Sequence, residues 1–230
     1  MLFRSTVEPI RQIAEVCRDR GVLLHVDGAQ TAGKIPTRVR ELGVDLFSLA
    51  GHKMYAPKGI GALYVRRGVS LEPQMHGAAH EGGLRAGTEN VPYIVGLGTA
   101  ASLAEQELSR QTDRLAGLRD RLQDRLCEGV GPGLTVNARR AERLPNTLSV
   151  NFPDISGSTL LRRIPELCAS TGAACHSGSD NLSATLAAIG LTPENARGTV
   201  RFSVGWYTSE EEIDRAANLL LAAWEAEAPA

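Results

Sequence analysis

Three short apolar runs constrain this fold more than any other feature: the starts of "VLLHVDGAQ" and "VDLFSLAGHK", and "GALYVRR". Each is nearly continuous in apolar character and stops at polar or glycine residues, the signature of strands covered on both faces. Strands are therefore expected over residues 22–26, 44–50 and 61–67. Ahead of them, Pro9 opens a helix, with Ile10, Ile13, Ala14 and Cys17 at helical spacing and Gly21 as its stop. Helix, strand, connection, strand is an α/β pattern. Ligands of such sheets gather at strand ends and in the turns beyond them, which is where Asp27, Gln30, His52 and Lys53 fall.

The rest of the chain has a different texture. Residues 68–91 are glycine-rich and aperiodic, as in a long loop. A helix is expected from about Ile94 to Leu126, carrying Leu108, Leu115 and Leu122 beside Leu118 and Leu126, with a bend near Gly117. It reads as the connection between two domains, over residues 1–100 and 101–230. Beyond "GVGPG", strands are expected at 146–152 and 199–205, with helices near 157–164, 182–189 and 209–225. The last helix has a capping-box signature, Thr208 with Glu211 or Ser209 with Glu212. This half reads as a smaller α+β domain.

Composition removes several function classes. A net charge of −1, from 25 basic and 26 acidic residues, gives no global field for nucleic acid or a membrane surface. No apolar run approaches the roughly 20 residues that span a bilayer. The start "MLFRSTVEPI" lacks the apolar stretch of a secretory leader, so a cytoplasmic setting is expected. The four cysteines (Cys17, Cys127, Cys168 and Cys175) form no CxxC pair, which suits reduced thiols better than disulfides or zinc.

Lysine is scarce. Only Lys34, Lys53 and Lys58 occur, and arginine serves elsewhere. Base composition of the gene accounts for such a bias, yet an amine does chemistry that arginine does not, because a guanidinium stays protonated and forms no imine. Lys53 directly follows a buried-type strand, so a partly desolvated amine is expected. Asp27 ends the preceding strand, where a carboxylate suits a cationic ring nitrogen, and Gln30 and His52 add neutral donors. From spacing alone two readings stand: a cofactor crevice, or a turn aspartate with a solvated lysine.

Four segments sharpen the choice: "HVDGAQTAGKIP", "GHKMYAPKGIGALYVRRG", "GLRAGTENVPYIVGLG" and "STGAACHSGSDNLSATLAAIG". In order and spacing they resemble the cysteine desulfurases, a family within class V of the pyridoxal-phosphate enzymes that includes the selenocysteine lyases. The resemblance runs from about Glu8 to Leu221. It implies the fold of type I pyridoxal-phosphate-dependent transferases, with a partial large-domain sheet and a smaller α+β C-terminal domain. It implies that Lys53 holds the cofactor and later moves a proton, that Asp27 pairs with the pyridinium nitrogen, and that Gln30 bonds the ring hydroxyl. His52 would contact the phosphate, and Thr88 in "RAGTEN" the phosphate of a partner subunit in a homodimer. Arg201 in "RFSVG" would clamp the substrate carboxylate, although taken alone it reads as a strand arginine in a surface ion pair.

Cys175 would be the nucleophile, taking sulfur from L-cysteine (or selenium from selenocysteine) and leaving alanine. Small and polar neighbours in "GAACHSGS" suit a mobile thiol, and His176 beside it suits a thiolate. The persulfide would pass to an acceptor protein, a scaffold or carrier, as in iron–sulfur cluster assembly. Cys17, on an apolar helix face, is expected to be buried and inert.

Departures from the family pattern are also visible. The segment before Glu8, which in family members carries a phosphate loop and a ring-stacking histidine, has no counterpart. About half of the large sheet is then expected to be missing, with a strand edge uncovered. Ala50 replaces a phosphate-binding serine, "HGAAHE" replaces a glycine-rich stretch, and Trp206 replaces an arginine. A chain of this ancestry that does not hold the cofactor by itself is the alternative expectation.

Overall fold

The computed structural model describes residues 5–171 and 184–227. The chain forms two compact units: Pro9–Leu108, and Met1–Glu8 together with Ser109–Ala230.

The Pro9–Leu108 unit begins with α1 (Ile10–Asp19), entered from Pro9 and followed by Gly21 at φ 64°. Strand β1 (His25–Asp27), helix α2 (Val39–Leu42), strand β2 (Leu46–Ala50), a 3-10 turn at Gly51–Met54 and strand β3 (Gly61–Val65) follow. The sheet order is β1-β2-β3, with β1 parallel and β3 antiparallel to β2. A single helix, α3 (Val91–Val130), spans 40 residues, and the boundary between the units falls within it.

Burial on both faces is not what these strands show. Only Val26 of β1 is even half-buried, and Gly61, Ala62 and Leu63 of β3 are exposed. In a three-stranded sheet only the middle strand is flanked on both sides, and here that strand, β2, holds the buried Leu46 and Phe47. On α1 only Ala14 is buried, while Ile13 is 36% and Val16 50% exposed. Cys17 on the same helix is half-buried rather than enclosed. One polar knot ties the strands at their other end. The Asp45 carboxylate accepts from Leu24 N at 2.8 Å and from Arg66 Nε at 2.6 Å. The backbone hydrogen bond from Leu24, and then that from Arg66, hold this carboxyl below its usual range.

The second unit has strands β4 (Thr135–Val136), β5 (Thr147–Asn151) and β6 (Thr199–Ser203), antiparallel in the order β4-β5-β6. Its helices are the later part of α3, α4 (Gly157–Arg162), α5 (Ala184–Ala188), α6 (Pro193–Arg197) and α7 (Glu210–Glu225). Every residue of β5 is buried. The stripe expected on α3 is present: Leu115, Leu118, Leu122 and Leu126 are at most 5% exposed and join Leu148, Val150, Phe152, Ala217 and Leu220 in one core. Leu108 is only half-buried. Of the two capping boxes the sequence allows, the Ser209–Glu212 pair forms, with Ser209 Oγ accepting from Glu212 N at 3.2 Å and Glu212 Oε2 accepting from Ser209 N at 2.9 Å. Several polar groups of this sheet, most of them buried, satisfy one another. Asn137 Nδ2 donates to Ser149 Oγ at 2.9 Å, Asn151 Nδ2 to Thr135 Oγ1 at 2.8 Å, and Thr199 Oγ1 to Asn151 Oδ1 at 2.6 Å.

Candidate active site

Strands β1 and β2 run parallel with Asp27 opposite Ser48, so the turns that follow them leave from the same edge of the sheet. Gly28 N donates to Ser48 O at 2.8 Å, keeping the start of the first turn against β2. That position requires glycine, because an added Cβ would lie 1.9 Å from the buried Phe47 ring. Beyond it, Thr31 N and Ala32 N both donate to Gly28 O at 3.0 Å and curl the chain toward Lys34. The second turn is the 3-10 segment carrying His52 and Lys53. Gly51 N donates to Ile60 O at 2.9 Å and Ala56 N to Gly51 O at 3.1 Å. The segment ends at Tyr55 with φ 66°, in the left-handed region that non-glycine residues seldom occupy.

The two turns are packed together. Gly33 lies where a Cβ would be 3.2 Å from Met54 Cβ, and Ala32 and Met54 are both buried in one small cluster. Lys34 joins them by hydrogen bonds, with Nζ donating to Gln30 O at 3.0 Å and to Lys53 O at 3.3 Å. Of the residues singled out in the sequence, Asp27 thus closes β1 while Gln30, His52 and Lys53 stand on the two linked turns, all at one end of the strands. Asp27 Oδ1 accepts from Ala29 N at 2.9 Å, which orients the carboxylate within its turn.

Burial distributes differently from the expectation. Asp27, His52 and Lys53 are exposed and Gln30 is half-buried. The desolvated amine belongs to Lys34, whose pKa is lowered to about 8 by burial and then by the charge of Lys53. The Lys53 side chain starts from a surface turn, whereas that of Lys34 folds back across two main-chain carbonyls. Sequence reasoning passed over Lys34. Its signals were present: it is one of three lysines, and it stands four residues after Gln30.

The remaining candidates lie elsewhere. Thr88 is exposed on the loop before α3, next to Gly87, whose N donates to His80 Nδ1 at 3.2 Å. Arg201 belongs to β6 of the second unit, opposite Ser149, and its main chain also exchanges hydrogen bonds with Ser170 at 2.7 and 3.1 Å. Burial lowers the pKa of its guanidinium. Cys175 lies outside the described residues. Among the described cysteines, Cys168 is exposed, and burial raises the thiol pKa of Cys127. No cluster of metal-ligating side chains occurs among the described residues, and no helix there is long and apolar enough to cross a membrane.

The family model "Aminotransferase class-V" matches residues 5–216. The chain is 44% identical over 218 residues to "Cysteine desulfurase IscS" of Klebsiella pneumoniae (strain 342), covering 94% of this chain and 54% of that protein. A solved structure described as a NifS-like protein superposes with a TM-score of 0.84 at 36% identity, covering 97% of this chain and 57% of the other. Another, described as SspA in complex with cysteine, gives a TM-score of 0.70 at 34% identity over 89% of this chain and 56% of the other. The chain spans about half the length of the curated relatives it matches.

Proposed function

This chain belongs to the aminotransferase class-V family, and from that premise we propose that it serves pyridoxal-phosphate-dependent desulfuration of L-cysteine. The observation that carries the reading is the linked pair of turns at the parallel ends of β1 and β2. They present the acceptor a protonated ring nitrogen needs (Asp27), the amine a carbonyl needs (Lys53), and the neutral groups of Gln30 and His52. That donor set fits pyridoxal phosphate. Bound there, the cofactor would supply an electron sink for the pair released when a substrate Cα–H bond breaks.

In this reading Lys53 moves the proton at Cα, and Arg201 holds the substrate carboxylate by a bidentate pair. Cys175 attacks the substrate sulfur as a thiolate. The Cβ–S bond breaks, an S–S bond forms, and a proton ends on Cβ. L-cysteine and the Cys175 thiol become L-alanine and a Cys175 persulfide, with the sulfur oxidised and the carbon reduced, so no external oxidant is required. Selenocysteine is a substrate of the same chemistry. Thr88 reaching the cofactor of a second copy in a homodimer, a sulfur-acceptor protein and a cytoplasmic setting complete the proposal. Relatives named as cysteine desulfurases and a neighbour described with bound cysteine support it.

A second reading, a family member that does not retain the cofactor by itself, is favoured by the exposure of Asp27, His52 and Lys53. One experiment separates the two. The full chain is mixed with pyridoxal phosphate, freed of excess, and examined for the yellow colour of a lysine-bound cofactor. Borohydride reduction and mass spectrometry then locate the attachment. Colour lost in Lys53→Ala and mass added at Lys53 support the enzyme, whereas a colourless chain selects the second reading. Alanine formation from L-cysteine, with sulfide released once an added dithiol reduces the Cys175 persulfide, both abolished in Cys175→Ser, tests the sulfur step.

A further inference from the structure

We propose that Lys34 is a positioning residue, whose ammonium clips the turn bearing Asp27 and Gln30 to the turn bearing Lys53. Lys34 Nζ reaches two main-chain carbonyls, those of Gln30 at 3.0 Å and Lys53 at 3.3 Å, so the clip sets the path of the backbone from which both side chains spring. An ammonium suits this task because it is a compact charge with three donors on a flexible stem, whereas a guanidinium is a wider planar fork. Charge-assisted hydrogen bonds of this kind are roughly twice as strong as neutral ones. The close approach of Gly33 to Met54 leaves the turns packed where the clip closes. Burial of the amine, which lowers its pKa to about 8, agrees with a side chain folded inward.

The clip itself is independent of any cofactor. Its consequence for Lys53 rests on the reading of the site proposed above, so the experiment reads the two separately. Because the chain has three lysines, labelling lysine with 13C at Cε gives three signals, assigned by single substitutions. In the unmodified chain the carbon next to the Lys34 amine should relax as an immobilised group. Relaxation typical of an unrestrained side chain overturns the proposal without recourse to any variant.

In Lys34→Met, which removes both hydrogen bonds of the clip, amide hydrogen exchange over 28–34 and 51–56 should accelerate by at least about tenfold. Val150 and Val200 should keep their protection, which shows that the second unit remains folded. Unchanged exchange in those turns overturns the clip. Borohydride trapping of pyridoxal phosphate at Lys53 should slow by about tenfold in Lys34→Met and by a smaller factor in Lys34→Arg, which keeps the charge and donors but not the compact ammonium geometry. Equal trapping rates in Lys34→Met and the unmodified chain overturn the positioning role. If no form of the chain traps the cofactor while exchange in the turns still responds to Lys34→Met, the clip stands and the cofactor reading fails.

Discussion

The two units each contain a three-stranded sheet, and the sheets are built to different ends. In β5 all five residues are buried, and Leu148 is 1% exposed. In β3, an edge strand of the first sheet, Leu63 is 48% exposed. Both strands form from similar apolar runs, so propensity is not what separates them. The second sheet carries a continuous core of leucines, valines and phenylalanines and a satisfied polar network. The first is sealed mainly by small residues such as Ala32, Ala56 and Ala104. Its polar groups Asp27, Gln30, Lys34 and Lys53 stand at the ends of β1 and β2 and on the turns that follow them.

The sharpest way to break this contrast is one substitution made in both sheets. Leu148→Ala should destabilise the second unit by about 2–5 kcal/mol through lost burial and a residual cavity. Leu63→Ala should change the first unit by less than about 0.5 kcal/mol. Hydrogen exchange, which resolves the units, measures both. Equal costs would mean that β3 is covered in solution by something beyond the described residues.

Asp45→Asn should cost the first unit roughly 2 kcal/mol at neutral pH, because its carboxylate accepts from both Leu24 N and Arg66 Nε. The pH dependence has a definite sign. Asp45 has its folded pKa depressed, so its contribution is present above the ordinary aspartate value and disappears as pH falls through the folded one. Urea titrations of the two chains should therefore converge below about pH 4.

Lys34 has the opposite consequence. Its folded pKa of about 8 lies below the usual 10.5, so the folded state carries a penalty while the amine is charged. Relative to Lys34→Met, the unmodified chain should gain stability as pH rises from about 8 towards 10.5, by at most ~1.4 kcal/mol per unit. Partial solvent contact reduces that figure. A flat difference across this range would show that the amine is not desolvated.

A modest effect is expected in the well-covered unit. Ser209→Ala should cost about 1 kcal/mol by removing the cap of α7. Thr208→Ala should leave that capping box intact, since the observed partner of Glu212 is Ser209. Thermal denaturation of the two variants side by side checks the assignment.

Much of this protein was legible in its residues. The capping box, the leucine stripe of α3, the strand positions to within a few residues, and the placement of Asp27 and Lys53 at strand ends all follow from local pattern. Each depends on neighbours a few residues apart, and such spacing is written directly in the chain. Burial was not legible in the same way. The runs at β1 and β3 look like doubly covered strands, yet a strand is buried only by what other segments lay over it. Nor does sequence order say which amine folds inward. Lys53 looked desolvated because it follows an apolar strand, but only the tertiary course of the Gly28–Lys34 turn brings Lys34 across the carbonyls of Gln30 and Lys53. Sequence by itself determined the elements and the chemical groups at their ends. The tertiary structure decided which of those groups are shielded from water, because desolvation is set by segments distant along the chain.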